Sequence, residues 1–260
     1  NKMSETYGAH EPRLAYVAES NYGVTPDNPA MVEIWIAENV EPAIDPQLVK
    51  VRGVGSRDLA FIRKGLRHVD LKFAYALQNI QFLNNVMTLG PLSIEIFYEK
   101  TGGIISLLHK GCIVDNAIVE CAVEDIIKAN VELIGQNLSV GTAKVGASYT
   151  PWSENPVAFY DSYIKKQAAV LERATGWKFK IENHLKRVPV IRTTSGHLLK
   201  YLMERHRTIT GEIEFEFETK EEYDDVINDL AFTLEIGLGS TNKATFTDCK
   251  WEKVGTPTND

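Results

Sequence analysis

The chain has 260 residues, 44% of them apolar, and carries 35 Asp and Glu against 28 Lys and Arg, a formal net charge of −7. That length holds one large β domain or two of ordinary size, and the acidic balance argues against an outer surface that grips phosphates. No run approaches the ~18 apolar residues of a membrane-crossing helix, and Asn1 to Ala9 is polar, without the apolar stretch of a secretory segment.

Residues 1–30 read as a polar N-terminal arm, with turn signals at Tyr22-Gly23-Val24-Thr25-Pro26 and Asn28-Pro29; such an arm is disordered or ordered by a neighbour. Residues 32–36 alternate as a strand does, and residues 66–78 do so more fully, with Arg67, Val69, Leu71, Phe73, Tyr75 and Leu77 on one side. A short helix follows, with Leu83, Val86 and Met87 as its apolar stripe and Gly90-Pro91 as its stop. Strands are predicted at 92–98, 103–108, 117–123 and 130–138, with Asp115-Asn116 and Gly135-Gln136-Asn137 as turns. A Gly-, Ser- and Pro-containing linker covers 141–157, and residues 158–166 read as a strand. Later, Thr219-Lys220-Glu221-Glu222 has the form of a capping box before a stripe of Tyr223, Val226, Ile227 and Leu230. An amphipathic helix between long strands is expected to lay that stripe on a sheet. Residues 231–238 return to a strand, and 255–260 read as a flexible tail.

These elements come in two similar series. Residues 51–98 and 191–238 align without a gap, Val51-Arg52 with Ile191-Arg192, Phe73 with Ile213, and Ser93-Ile94-Glu95-Ile96 with Thr233-Leu234-Glu235-Ile236. Upstream, residues 32–36 resemble 177–181, which gives the first series five extra residues before the register settles. Downstream, His109-Lys110-Gly111-Cys112 resembles Phe246-Thr247-Asp248-Cys249, three residues out of step. The predicted fold is therefore mainly β: two tandem β-sandwich repeats, each with one short helix packed on a sheet, at 31–140 and 158–254. Repetition of this kind signals a symmetric or stacked architecture rather than one asymmetric cleft.

Nothing in the chain points to catalysis, a cofactor or a metal. Gly53-Val54-Gly55 lacks the third glycine and the βαβ context of a nucleotide loop. The histidines at 10, 68, 109, 184, 197 and 206 show no ligand spacing, and Asp224, Asp225 and Asp229 read as solvated charges on a helix. No GxSxG elbow occurs. Cys112, Cys121 and Cys249 cannot all pair and form no CxxC, so they read as reduced, buried thiols of an intracellular product. Two charged features remain. Residues 211–218 alternate Glu212, Glu214, Glu216 and Glu218 with apolar residues, and basic clusters around Arg67 and around Arg205 and Arg207 stand at equivalent places in the two series. The basic clusters read either as solvated turns or as an inter-subunit girdle that pairs with the acidic strand.

Several segments carry a family likeness: Tyr22-Gly23-Val24-Thr25-Pro26, Arg67-His68-Val69-Asp70-Leu71, Gly111-Cys112-Ile113-Val114-Asp115-Asn116-Ala117-Ile118, Lys180-Ile181-Glu182-Asn183-His184-Leu185, and Arg207-Thr208-Ile209-Thr210-Gly211-Glu212-Ile213. From about residue 16 to 254 the chain resembles the major tail tube proteins of long-tailed, siphovirus-like bacterial and archaeal viruses. The resemblance implies a structural virion protein whose sandwiches form rings of six folds, with inner strands joined into a β-barrel and rings stacked helically into a tube that conducts DNA. A doubled fold implies a homotrimer with pseudo-sixfold symmetry; a homohexamer is the alternative. Partners are then further copies, other tail proteins and DNA that slides past without specific binding, with no membrane involved. The location is the virion tail, and the host cytoplasm during assembly. Glu212, Glu214 and Glu216 are the expected lumen-facing acids, and Arg67, Arg205 and Arg207 the expected inter-subunit bases. Rival readings are a terminator or baseplate hub, or a β-sandwich enzyme or carbohydrate-binding module. The last would need clustered exposed tryptophans, and Trp35, Trp152, Trp177 and Trp251 are scattered.

Overall fold

A computed structural model describes residues 12–100 and 103–255. The rest of the expected arm (1–11) and of the expected tail (256–260) lies outside the described residues. The first half contains β1 (Pro12–Ala18), β2 (Ala30–Ile34), β3 (Ala37–Asp45), β4 (Val49–Arg52), β5 (Leu59–Arg63), β6 (His68–Ala76), α1 (Asn84–Thr88), β7 (Leu92–Lys100), β8 (Gly103–Ala122), β9 (Lys128–Gly135), β10 (Asn137–Gly141) and β11 (Ser148–Pro151). The second contains β12 (Ile164–Lys166), β13 (Ala169–Val170), β14 (Ala174–Glu182), β15 (Lys186–Val188), β16 (Tyr201–Met203), β17 (Thr208–Phe215), α2 (Glu221–Ile227), β18 (Phe232–Gly237) and β19 (Lys243–Cys249).

The protein is mainly β, built as packed sheets around an apolar core. One layer runs β11-β2-β1-β7-β8 with β10 also on β8; the facing layer runs β3-β6-β9-β8-β14-β17. β8 belongs to both because its 20 residues bend from one layer to the other. Two irregularities make the bend: a register shift opposite Leu92 and Ile94 around Gly111 (φ 63), and a bulge at Asp115. Asp115-Asn116 is thus a bulge within one strand, not the turn between two that its composition suggested. The extra residue is used, since Asp115 accepts the backbone N–H of Asn183 at 2.8 Å and, through its carboxylate, that of Leu185 at 2.7 Å.

β6 shows why these residues form strands: Val69, Leu71, Phe73 and Tyr75 are buried, while Asp70 and Lys72 turn to the other face. The core joins Leu14 and Ile94 of one layer to Phe73 and Val119 of the other, and extends to Phe179 and Ile236 in the second half. A four-stranded sheet, β13-β12-β18-β19, covers the second half, and the hairpins β4–β5 and β15–β16 form two separate two-stranded sheets.

Residues 12–18 correct the expected arm. β1 sits between β2 and β7, with Leu14 and Tyr16 in the main core and Ala15 packed with Met31 and Phe97 on its other face. A strand buried on both faces shows no alternation, which hid it. The turn after it is anchored by buried Glu19, whose carboxylate accepts Ser93 Oγ and the N–H groups of Gly23 and Gly111. Gly23 takes a left-handed φ of 77 there, a conformation that strains any residue with a Cβ. The 141–157 segment is no free linker either: β11 adds to β2, and Trp152 and Val157 are buried. Residues 158–166 resolve into a 3-10 turn, Phe159–Asp161, and the short β12.

The two halves repeat one pairing scheme. β6 and β17 begin at positions 68 and 208, β7 and β18 at 92 and 232, all 140 apart. Asp45↔His68 corresponds to Glu182↔Thr208, and Ala37↔Tyr75 to Ala174↔Phe215, at intervals of 137 and 140. Even the bulge recurs, Leu92↔Cys112 followed by Ile94↔His109 against Phe232↔Cys249 followed by Leu234↔Phe246. The pairings also correct the alignment upstream. Val49↔Arg63 answers to Lys186↔Met203, so Val51 stands with Val188, not Ile191, and the length difference lies at the hairpin tips. β14 likewise corresponds to β3 rather than to residues 32–36.

Candidate assembly interface

The facing layer turns one side to the core and the other to solvent. On the solvent side Glu41, Asp45, Glu120, Glu132, Glu182, Glu212 and Glu214 accompany Lys72, Lys128, Lys178 and Lys180. All four lysines are spent on neighbours: Lys72 donates to Glu132 at 2.6 Å, Lys180 to Glu182 at 2.7 Å, Lys178 stands 3.7 Å from Glu120 and Lys128 3.9 Å from Asp125. The Lys180 contact holds the Glu182 carboxyl below the usual range, and Glu132 raises the Lys72 ammonium. The acids here with no lysine within ion-pair distance among the described residues, Glu41, Asp45, Glu212 and Glu214, lie on β3 and β17, the two outer strands. Glu212 stands opposite Lys178 and Glu214 opposite Gly176, both exposed. Glu216 is exposed but lies just past β17, its N–H bonded to Arg173 O at 2.9 Å.

Two of the three expected basic residues, Arg67 and Arg207, are hydrogen-bonded within the chain. Arg67 is half-buried and donates to Asn137 Oδ1 at 2.5 Å, while its backbone N–H reaches His197 O at 2.7 Å. Arg207 donates to Asn183 Oδ1 at 2.8 Å and to Met87 O at 2.9 Å. Arg205 is exposed. Arg207 is part of a knot that sequence reasoning missed. Buried Asn183 donates to Val86 O and Val114 O, both at 3.0 Å, so β14 of the second half is tied to α1 and β8 of the first. Nothing in the pattern of a lone Asn after a strand announces this; only the pairing of β14 with β8 brings the groups together.

The helices also depart from expectation. Lys220, not Thr219, caps α2, and no side chain bonds the cap. Glu222, expected in a capping box, is buried and paired with Arg173, whose guanidinium lies 5.0 Å from the Phe215 ring. Val86 on α1 is buried, whereas Met87 and the α2 stripe of Val226, Ile227 and Leu230 stay exposed. Asp225 is not a free surface charge, since it accepts Lys166 and Trp251 Nε1. Trp152 and Trp177 are core residues, which leaves Trp35 as the tryptophan over half exposed. Cys112 and Cys121 are buried free thiols and Cys249 is half-buried. Among the described residues no cluster of three or more His, Cys, Asp or Glu is arranged to hold a metal ion, and no helix is long and apolar enough to cross a membrane.

The family model for phage tail tube proteins matches residues 11–260. The chain belongs to the phage tail tube protein family. A tail tube protein is a structural component of the virion tail, and assembly with other tail subunits follows from that membership. Among solved structures, one chain of the anti-feeding prophage (AFP) baseplate, in its 6-fold symmetrised cryo-EM structure, overlaps at a TM-score of 0.40 with 10% identity. The match covers 56% of this tail tube family member and 99% of that chain, an overlap too loose to argue from. Comparison with curated proteins gives no match.

Proposed function

We propose that this chain forms the hollow tail tube of a long-tailed virus, each molecule supplying two copies of the tube fold, so that three chains close a ring with pseudo-sixfold symmetry. The observation that carries the reading is the repeated pairing scheme inside a sheet whose two outer strands are open. Six antiparallel strands, β3 to β17, leave edges that run in opposite directions. A further copy set alongside continues the alternation, and closing a ring pairs every edge that would otherwise invite aggregation. The solvent side of that sheet, acidic on balance, lines the channel and repels DNA phosphates over roughly a Debye length, ~10 Å at moderate salt. Arg205 and the exposed acids beyond β17 are left for contacts between subunits and rings. The rings are built in the host cytoplasm before they join the virion.

Electron microscopy of the purified chain tests this. Long hollow filaments with three chains per ring are the expected result. Rings of six chains would replace the trimer by a homohexamer. Rings that never stack would point to a terminator or hub, and a stable monomer would overturn the tube reading.

A further inference from the structure

The two hairpins of the chain are built alike and treated differently. Lys50↔Ile62 and Val51↔Phe61 in β4–β5 correspond to Arg187↔Leu202 and Val188↔Tyr201 in β15–β16. The second hairpin is seated within the chain: Leu199 and Leu202, 0% and 8% exposed, pack with Leu89 just beyond α1 and with Ile113 and Ile134. Arg187 pairs with Asp70, and Gln136 donates to Leu199 O at 2.9 Å. In the first hairpin the same places are held by Leu59 and Ile62, 37% and 54% exposed, and Phe61 beside them is 68% exposed.

The receiving side shows the reverse inequality. Leu89, just beyond α1 and under the seated hairpin, is 9% exposed, while around the corresponding end of α2 Val226 is 41% exposed, Ile227 77% and Leu230 51%. Both helices end alike, in a left-handed residue, Leu89 (φ 53) or Asp229 (φ 51). The molecule therefore carries one joint already made, between its halves, and the two unmatched parts of another: a hairpin without a seat and a helix end without a hairpin.

We infer that hairpin β4–β5 of one molecule seats against the α2 end of a second copy of this chain, as β15–β16 seats against the α1 end within it. The inference rests on the ring reading and deepens it by naming the contact between neighbouring chains. A second copy is the occupant because the same kind of hairpin and helix end, in the same register, already bury one another in the chain. Matching apolar patches exposed at opposite ends make a head-to-tail contact, the kind that generates a closed ring. The open seat is more polar than its internal counterpart. Asp229 and Lys250, 2.8 Å apart, follow α2 and Cys249 where Leu89 and Ile113 follow α1 and Cys112, so this joint closes together with the sheet edges rather than alone.

The test uses the full chain with Cys249→Ser, in two variants, Ile62→Cys and Ile227→Cys, mixed and treated with a short bis-maleimide. Both substituted residues are exposed, so folding is undisturbed. The expected result is a cross-linked dimer that requires both variants and forms in single rings as well as in tubes. A Leu59→Asp, Ile62→Asp chain should keep the parent melting temperature yet lose assembly at least tenfold. Rings or tubes without the mixed cross-link, cross-links confined to stacked rings, or normal assembly of the Asp variant would overturn the joint and leave the ring reading standing. A chain that remains monomeric at high concentration overturns both.

Discussion

Single residues show where the two halves diverge. His109 is fully buried on β8, opposite Ile94 of β7, at the place that Phe246 takes in the second half. Burial lowers its pKa from 6.5 to about 4, so the folded protein keeps the ring neutral. The unfolded chain takes the proton first as the pH falls. The stability the neutral ring permits is therefore complete above ~6.5 and is lost as the pH drops towards 4, by about 3 kcal/mol in all. His109→Phe should remove that part of the acid slope; urea melts from pH 7 to 4 with the parent slope unchanged would contradict it. Glu222 and Arg173 make the second case, a buried pair at a position where the first half has the core residue Phe82. Glu222→Ala leaves the guanidinium buried without its partner, which should cost about 3–5 kcal/mol. A loss under about 1 kcal/mol would mean that the pair is solvated in solution.

At the scale of elements, the apolar stripes of α1 and α2 are alike in sequence, and only their neighbours distinguish them. Val86 lies under the seam with β14, where Asn183 takes its carbonyl, and Val226 faces solvent. Val86→Asp should therefore destabilise the isolated chain by several kcal/mol, through a carboxylate placed in the core. Val226→Asp should change it by less than about 0.5 kcal/mol and act only on assembly. Equal effects in thermal melts would show that the helices are equally packed. The strands divide in the same way. β6 was legible because one face is wet, whereas β1, covered on both, gave no alternation to read. Asp115-Asn116 has the composition of a turn, yet at the bend of β8 the same residues make a bulge, because β9 and β14 pair with the strand on either side.

The whole molecule is set by what its sheet leaves open. Glu41 and Asp45 on β3, and Glu212 and Glu214 on β17, would meet across a closing ring, and like charges on adjacent strands oppose pairing. Assembly should thus be favoured by salt: raising it from about 0.05 to 0.5 M shortens the screening length severalfold. Light scattering or sedimentation should show more polymer at the higher salt, and a decrease would mean that attractive ion pairs dominate the contact. Alternation, turn residues and the recurring order of elements by themselves determined the β class, the two series and the tail tube likeness, since these depend on local periodicity. The sequence reading misplaced the upstream register and did not reveal the Asn183 knot, the Glu222–Arg173 pair or which hairpin is seated. Those depend on which strand lies next to which. Only the tertiary structure decided them, because burial and hydrogen bonding between residues up to 130 positions apart, such as Arg67 and His197, follow from packing and not from neighbours in the chain.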